Sequence, residues 1–415
     1  MKKIKHIVIV GGGSSGWLAA AYLNWNFPQY KITIIDKEIG TPVGVGEATV
    51  LNFRPFLQSC GFEIEDWYSE MDATEKLGIW FYNWIDKNKH VYHPFFNNLT
   101  DNENYKKAML SRFDNLSNVA YHVNCGKLVL FLQKKLKNKI TFKKSEVKQI
   151  IHNDSGVDYL VLNNKQKISA DLYIDCTGFN SILKGKTEKI MLRDRLICDT
   201  AVASQVEYMN KDKELVPYTK CEAVEEGWVW SIPVSSRIGT GFIFNRQLTD
   251  IDKAKDFFVK HWNNRIKKEN VKVIDWTPYY DKKIWNKNVV SIGLSAGFIE
   301  PLESTGLMLA MEGIYALSKR IYKKSFKEED IDLYNQHMKI FYENSIDFVS
   351  MHYLLSKRKG VFWQKGRELK TSERFELFKK DVLNKNYSDL FENSLFNDTD
   401  CFTSNSWYCW LKQTL

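Results

Sequence analysis

Apolar and polar positions near the start of the chain predict a strand, a turn, a helix and a second strand. His6–Val10 is a short apolar run, which is typical of a buried strand. Helical periodicity follows in 17–23, and a second strand-like run, Lys31–Ile35, leads into Asp36. This succession is typical of the βαβ unit that opens many parallel sheets.

A glycine-rich turn joins the first strand to the first helix, and the sequence of 11–16 fits G-x-G-x-x-G. Glycines at these places permit a tight turn and a close approach to a pyrophosphate, and an acid about 20 residues further on can bind ribose hydroxyls. In this strand context the motif predicts a bound dinucleotide instead of an ordinary glycine turn. The predicted contacts are Gly11, Gly13, Ser14, Ser15, Gly16 and Asp36.

The G-x-G-x-x-G motif alone does not show whether the dinucleotide is NAD or FAD. Two later segments are also suited to contact a dinucleotide. The glycines of Val43–Thr49 would let the backbone lie near a flat ring, the alternative being an ordinary glycine loop. A strand-like run, 170–175, is followed by Thr177 and Gly178, which also suits backbone contact.

The middle of the chain has strand patterns and the end has helical ones. Alternating, β-branched and aromatic residues in 200–250 predict an antiparallel sheet with one packed face. From Leu307 onward the chain is mostly helical. Because no repeat or flexible linker separates these regions, the nucleotide-binding and substrate-binding parts are predicted to be interwoven.

Five segments carry weaker patterns. Phe53–Met71 is predicted to be helical, and Tyr121–Leu136 has helical periodicity. Tyr92–Phe96 is predicted to be a loop and 97–118 a polar surface insertion. On pattern alone, Lys76 is predicted to be a surface lysine at the head of an aromatic strand-like run.

Composition and charge narrow the class of protein. The 415 residues include 13 Trp, 20 Tyr and 25 Phe, which fits a large filled core or aromatic-lined pockets. The net charge of +9 comes partly from short, scattered lysine runs, so no nucleic-acid partner is expected. No apolar run is long enough to span a membrane, and the 7 scattered cysteines predict reduced thiols, no metal site and a cytoplasmic location.

The loop Gly297–Leu307 is a polar segment between two apolar runs, with two carboxylates and two hydroxyls. It follows a strand-like run and leads into a helix-like one. Backbone N–H groups at the start of a helix can hold an anion or a flavin edge. The loop is therefore a candidate active-site loop, although such loops can also merely turn the chain.

These motifs, taken together and in order, resemble those of the FAD-dependent, tryptophan-type halogenases. Trp228–Pro233 fits the family's W-x-W-x-I-P signature, and Phe298–Gly306 fits its flavin and halide loop. The other matching segments are 11–17, Gly46–Thr49, Lys76 with its aromatic run, Tyr92–Phe95, Asp175–Phe179, His352–Ser356 and Phe362–Trp363.

The resemblance covers roughly residues 5–365 and implies an α/β fold. The fold would be a Rossmann-like FAD-binding fold of the flavin monooxygenase type, with an inserted antiparallel β-sheet and a C-terminal helical part. Residues 1–320 would form the FAD-binding module, interwoven with a β-sheet substrate module at about 75–120 and 195–285. Residues 321–415 would form a mainly helical part that packs on the substrate side.

The resemblance also implies the chemistry. A separate flavin reductase supplies reduced FAD, and with O2 a halide (chloride, bromide or iodide) is converted to hypohalous acid. The acid passes through an internal tunnel to Lys76, where it is held as a hydrogen-bonded acid or a chloramine. It then halogenates an electron-rich aromatic substrate such as an indole or a phenol. Since hypohalous acid is very reactive, water has to be excluded.

Three residues are assigned catalytic roles by the resemblance. The Lys76 ammonium would polarise the halogen, and Glu303 would orient the oxidant or assist loss of the ring proton. Ser304 would position the substrate or Glu303.

Binding roles are also implied for the halide, the substrate and the rest of FAD. The halide is assigned to Thr305 and Gly306, and His93 and Phe95 would flank the aromatic substrate. Further FAD contacts are assigned to Gly46, Glu47, Ala48, Val147, Thr177, Gly178, Gly306 and Leu307.

One departure concerns the substrate. The chain is shorter than the free-tryptophan enzymes, and the segments after Phe96 and Trp363 offer no clear counterpart of their amino-acid clamp. Other indoles, phenols and aromatic groups on larger molecules therefore remain candidates, and a homodimer is a candidate assembly. Two alternative activities stay open: a flavin-dependent aromatic monooxygenase, which would not need Lys76 and Glu303 together, and a non-catalytic FAD-binding protein.

Overall fold

A six-stranded, mostly parallel sheet forms the nucleotide-binding half of the protein. The computed structural model describes residues 2–37, 47–95, 119–185, 187–322, 325–383, 402 and 404–414. Only the first pair in the sheet is antiparallel. In order across the sheet, the strands are Trp285–Asn286, Val289–Ser291, Leu172–Asp175, His6–Val10, Lys31–Asp36 and Thr141–Lys144.

Alternate residues of the central strand pack on opposite faces of this sheet. Ile7 and Ile9 belong to the main core, together with residues of helices Ser14–Asn26 and Thr305–Ile321. Val8 and Val10 face a second core, formed with a three-stranded sheet. The strands of that small sheet are Val147–Asn153, Gly156–Leu162 and Lys167–Ile168. Because both faces are covered, the strand reads as a continuous apolar run.

A seven-stranded sheet forms the second half, and all but one of its pairs are antiparallel. The exception is the parallel pair of Thr219–Val224 with Gly78–Asp86. In order across the sheet, the strands are Lys272–Asp275, Thr200–Val206, Arg237–Phe244, Gly227–Val234, Thr219–Val224, Gly78–Asp86 and Lys89–Pro94. The antiparallel sheet predicted for 200–250 is confirmed.

The described residues form three further small sheets. One of them matters for the site, because Ala120–Val123 pairs with both Glu47–Ala48 and Thr74–Lys76. The other two join Lys2–Lys3 to Ser325–Phe326, and Tyr279–Asp281 to Lys189–Met191 and Gly297–Phe298.

The remaining helices surround both halves, and the predicted helical character after Leu307 is confirmed. No helix in the described ranges is long and apolar enough to cross a membrane. The other α-helices are Phe53–Gln58, Ile64–Trp67, Cys125–Leu136, Lys211–Glu214, Ile251–His261, Glu328–Leu354, Val361–Arg367, Glu373–Leu383 and Ser404–Thr414. The 3-10 turns are Gly178–Asn180, Lys268–Asn270, Gly293–Ser295 and Leu302–Ser304.

Three local predictions differ from the structure. Phe53–Met71 contains two short helices instead of one, with Gly61 between them in a left-handed conformation at φ 79°. The helix predicted for Tyr121–Leu136 begins only after Asn124, whose side chain caps it, and the preceding residues form a strand. Tyr92 to Pro94 end an edge strand instead of forming a loop. The insertion predicted for 97–118 lies outside the described residues.

Replacing Gly16 by alanine should destabilise the fold, because the new Cβ would lie 2.0 Å from the backbone oxygen of Gly11. Overpacking of this kind costs about 1–3 kcal/mol, which urea denaturation measures. Gly13→Ala is the matched control, since in the described part of the chain a Cβ at Gly13 lies within 4 Å of no residue beyond its chain neighbours and its own helix backbone. An equal loss of stability in both variants would contradict the close packing of the turn.

Candidate active site

Two consecutive left-handed residues shape the loop between the halves of the protein. Glu303 has φ 60° and Ser304 has φ 63°, just before helix Thr305–Ile321 begins. Non-glycine residues in this conformation each cost on the order of 1 kcal/mol or more, so surrounding contacts must hold them. One contact is within the loop, where the Thr305 hydroxyl donates to the Glu300 carbonyl at 2.8 Å.

Lys76 is fully buried, so the surface position predicted from its local pattern is wrong. Its Nζ donates to the carbonyl of Thr49 and to Oγ of Ser304, each at 2.8 Å. The same nitrogen lies 4.7 Å from the ring centre of Phe95, on its face. The lysine is therefore held by backbone, hydroxyl and ring partners at one point of the interior.

Burial lowers the pKa of Lys76 to about 7, against the opposing effect of the Glu303 carboxylate. Removing an ammonium from water disfavours its charged form, and a nearby negative charge recovers only part of that cost. At neutral pH, Lys76 is consequently present in both its ammonium and amine forms.

Glu303 is buried between two histidines. His93 Nδ1 donates to its carboxylate at 2.9 Å, and His352 Nε2 donates at 2.7 Å. Burial alone would raise the pKa of Glu303, but the two imidazoles hold it well below its usual range. The site therefore contains an ionised carboxylate next to the Lys76 and Ser304 pair.

The two residues predicted to flank the substrate lie at this cluster. The rings of His93 and Phe95 meet edge to face, with centroids 5.7 Å apart. His93 Nε2 is buried and has no hydrogen-bond partner in the described part of the chain. A buried polar atom of this kind is a candidate contact for a bound molecule or water.

The C-terminal helix Ser404–Thr414 and Phe402 cover one side of the cluster. Trp410 lies on His352 with ring centroids 3.9 Å apart, and Phe402 stacks on Phe348 at 4.0 Å. The Gln413 side chain bonds both backbone groups of Tyr92, at 2.9 and 2.7 Å. No role could be predicted from sequence for this C-terminal segment. Its two tryptophans, three residues apart, were the one feature that could have indicated a buried helix face.

The Trp228 motif reaches the loop through a buried hydrogen-bond chain. Trp228 Nε1 donates to the Tyr353 hydroxyl at 3.0 Å, which in turn donates to Oε1 of Glu300 at 2.5 Å. Burial raises the pKa of Glu300 to about 8, so this carboxyl group is mainly protonated at neutral pH. The loop thus holds one neutral acid, Glu300, and one ionised acid, Glu303.

The predicted cofactor residues at the glycine turn lie together at the carboxyl end of the parallel sheet. Gly11 has φ 106°, and a Cβ there would strike the Cys176 backbone. By contrast, a Cβ at Gly13, Gly178 or Gly306 would come within 4 Å of no other described residue beyond its chain neighbours and its own helix backbone. Tight packing behind the turn, with open space at these three glycines, fits a cradle for a dinucleotide.

Asp36, Ser15 and Thr177 support this cradle. One oxygen of Asp36 accepts the N–H of Gly12 at 2.8 Å, which ties the acid to the turn. Ser15 lies at the turn Gly293–Ser295, where a Cβ on Gly293 would come 2.2 Å from its Oγ. The Thr177 hydroxyl donates to Asp175 at 2.7 Å.

The remaining predicted contacts are spread more widely. Glu47 and Ala48 form the short strand beside Ala120–Val123, and burial raises the pKa of Glu47 to about 7. Val147 starts the strand Val147–Asn153 and packs on the second core. Gly46 lies outside the described residues. Ser14 begins the first helix, and Leu307 is buried in the first turn of helix Thr305–Ile321.

The chain is similar to known halogenases. A family model described as tryptophan halogenase matches residues 6–108 and 97–413. The tryptophan 6-halogenase ThaL of Streptomyces albogriseolus is 28% identical over 89% of this chain and 80% of its own length. The tryptophan 7-halogenase RebH of Lentzea aerocolonigenes is 26% identical over 98% of this chain and 89% of its own.

A solved structure gives the same result. Xcc4156, a flavin-dependent halogenase from Xanthomonas campestris, has a TM-score of 0.88 at 25% identity, covering 100% of this chain and 90% of its own. The family match and the similarity of the fold thus identify the class of this protein as a flavin-dependent halogenating oxidoreductase. The chain belongs to the tryptophan halogenase family. The resemblance inferred from the motifs and the FAD-binding fold class are both confirmed.

Replacing Lys76 by methionine should change how stability depends on pH. The pKa of Lys76 is about 7 in the folded protein, below the value of about 10.4 for an exposed lysine. Between these values the unfolded chain binds more protons, so wild-type stability should rise with pH relative to Lys76→Met, by up to roughly 1.4 kcal/mol per unit. Urea denaturation from pH 7 to 10 measures this. If the difference in unfolding free energy between wild type and Lys76→Met does not vary with pH, the lowered pKa of Lys76 is contradicted.

Proposed function

We propose that the protein uses reduced FAD, O2 and a halide to halogenate an electron-rich aromatic compound at Lys76. The observation that carries the proposal is the buried cluster in which Lys76 binds Ser304 while the adjacent Glu303 is ionised between two histidines. A buried lysine and carboxylate are costly, so their joint presence in one cluster favours a chemical role.

The residues around the glycine turn fit FAD. Open space at Gly13 and Gly178 supports placing the pyrophosphate and neighbouring groups there, with Asp36 at the end of the second strand for the ribose. When reduced FAD is bound, it provides, together with O2, the oxidant that converts a halide to hypohalous acid. A separate flavin reductase would provide the reduced cofactor.

We assign the halide to the start of helix Thr305–Ile321. The first backbone N–H groups of a helix lack intrahelical acceptors, and the helix dipole favours an anion there. Gly306 leaves open space beside these groups. Ser304, which binds Lys76, directly precedes Thr305, so the loop itself links the proposed halide position to the lysine.

Lys76 would bind and polarise the hypohalous acid. Its ammonium form can donate a hydrogen bond to the oxidant. Its amine form can instead attack the halogen of hypochlorous acid, which breaks the O–Cl bond and gives a chloramine and water. Burial keeps bulk water from the reactive halogen. Glu303, held ionised by His93 and His352, would accept the proton that the aromatic ring loses.

The substrate would lie beside His93 and Phe95. Nε2 of His93, which has no hydrogen-bond partner among the described residues, offers a hydrogen bond to a polar ring substituent, and the Phe95 ring offers a stacking surface. Indoles and phenols have both features. Residues 321–415 would complete this side, because Trp410 and Phe402 cover the cluster, while strands from about 75–120 and 195–285 would form its walls.

Replacing Lys76 by alanine should reduce halogenated product by ~100-fold or more, because the group that activates the oxidant is removed. Oxidation of reduced FAD should continue, since the glycine turn is unchanged. Mass spectrometry would measure product from indoles, phenols and aromatic peptides with a generic flavin reductase and each halide. Lys127→Ala, which removes a surface lysine that pairs with Asp72, is the control.

Unchanged product from Lys76→Ala would refute the assigned role. Halide-independent hydroxylation of the same compounds would instead identify a monooxygenase. Flavin binding without any product across the panel would favour a non-catalytic FAD-binding protein.

A further inference from the structure

His352 lies on the long helix Glu328–Leu354 and is fully buried. Its Nδ1 lies 2.7 Å from the carbonyl oxygen of Phe348, one helical turn earlier. Its Nε2 lies 2.7 Å from Oε1 of Glu303. Both ring nitrogens therefore form hydrogen bonds, Nδ1 within its own helix and Nε2 with the loop that carries Glu303.

The two contacts determine where protons must lie. A carbonyl oxygen only accepts hydrogen bonds, so Nδ1 has to carry a proton. An ionised carboxylate also only accepts, so the bond between Nε2 and Glu303 needs a second proton. Burial lowers the pKa of His352, against the raising effect of its hydrogen bond to Glu303. With Glu303 ionised, the two contacts favour the imidazolium form, which would make the buried pair neutral overall.

The surrounding rings hold the imidazole in one orientation. Trp410 lies 3.9 Å from it, and Phe348 meets it edge to face at 5.0 Å, measured between ring centroids. Trp84 donates its indole N–H to the His352 carbonyl at 2.8 Å, which fixes the backbone as well. Little freedom remains for the imidazole to turn away from Glu303.

Other charged or titratable groups face the same carboxylate from different elements. His93 approaches from the edge strand Lys89–Pro94, and Lys76 from the short strand Thr74–Lys76. Cys221 approaches from Thr219–Val224, as a thiol whose pKa burial raises well above its usual value. Only the two histidines bond to Glu303 among the described residues.

We propose that His352 is a positioning residue that fixes the Glu303 carboxylate and keeps it ionised for the reaction. This inference rests on the proposed role of Glu303 as the group that receives the ring proton. His352 need not touch the substrate, because it acts through Glu303. Without the imidazole, a buried carboxylate would retain one donor instead of two and would bind a proton more readily.

The test compares His352→Phe, which removes both donors, with His352→Gln, which keeps an N–H donor near the position of Nε2. His337→Gln is the matched control, because His337 lies on the same helix and bonds a carboxylate, Glu312, away from the cluster at 2.6 Å. All variants would be assayed for halogenation from pH 5 to 9, and their melting temperatures would be measured.

His352→Phe should lose on the order of tenfold or more activity below neutral pH and regain part of it as pH rises, because a shift of one pKa unit changes the ionised fraction tenfold. His352→Gln should fall between His352→Phe and wild type, and His337→Gln should follow wild type. The proposal would be overturned if the loss of activity at acidic pH occurred at the same pH in His352→Phe as in wild type. Identical pH profiles of the Phe and Gln variants at position 352 would also overturn it.

Infrared spectroscopy separates this inference from the proposed function. In His352→Phe, a carbonyl band of a protonated carboxylic acid should appear at neutral pH in addition to the bands of wild type, and this additional band should vanish when Glu303→Gln is added. This readout needs no turnover, so it remains valid if no halogenated product is ever found. No new band in a folded His352→Phe protein would overturn the positioning role.

Discussion

Keeping the charges of Lys76 and Glu303 in the interior is the constraint on which the site depends. Each buried ion costs several kcal/mol unless other groups replace the water it has lost. For Lys76 these groups are a carbonyl and a hydroxyl, and for Glu303 they are two imidazoles. The replacements belong to Thr49, His93, Ser304 and His352, which lie on four different segments, so neither charge can be accommodated until these segments have packed together.

The left-handed pair Glu303 and Ser304 connects this constraint to the parallel sheet. The chain leaves that sheet at Val289–Ser291, passes the turn beside Ser15, and reaches the pair before helix Thr305–Ile321. One continuous segment therefore touches the nucleotide cradle, starts the helix proposed for the halide and presents the carboxylate. Its conformation is sustained by distant partners and not by local preference, since both residues disfavour it.

The nucleotide cradle could be predicted from sequence because its determinants are local. The strand, the glycine turn and Asp36 lie within about 30 residues, and their spacing is itself the signal. The burial of Lys76 could not be predicted in this way. Strand periodicity places Lys76 and Thr74 on one face, but the hydroxyl that accepts from Lys76 belongs to Ser304, 228 residues later.

The environment of His352 could not be predicted from local sequence either. The environment of His352 depends on Glu303 and on Trp410, which are remote from it in sequence, and helical periodicity says nothing about either. The family resemblance supplied part of this long-range information, since it brought Lys76 and Glu303 to one place. It could not supply the hydrogen bonds, which depend on side-chain orientation.

Gln413 has a consequence for association between molecules. Strand Lys89–Pro94 is the edge of the seven-stranded sheet, and an exposed edge invites pairing with another chain. The Gln413 amide satisfies the N–H and the carbonyl of Tyr92 together, as a neighbouring strand would. The helix that covers the aromatic cluster therefore also blocks part of the sheet edge, so that enclosure of the site and protection against aggregation depend on one helix.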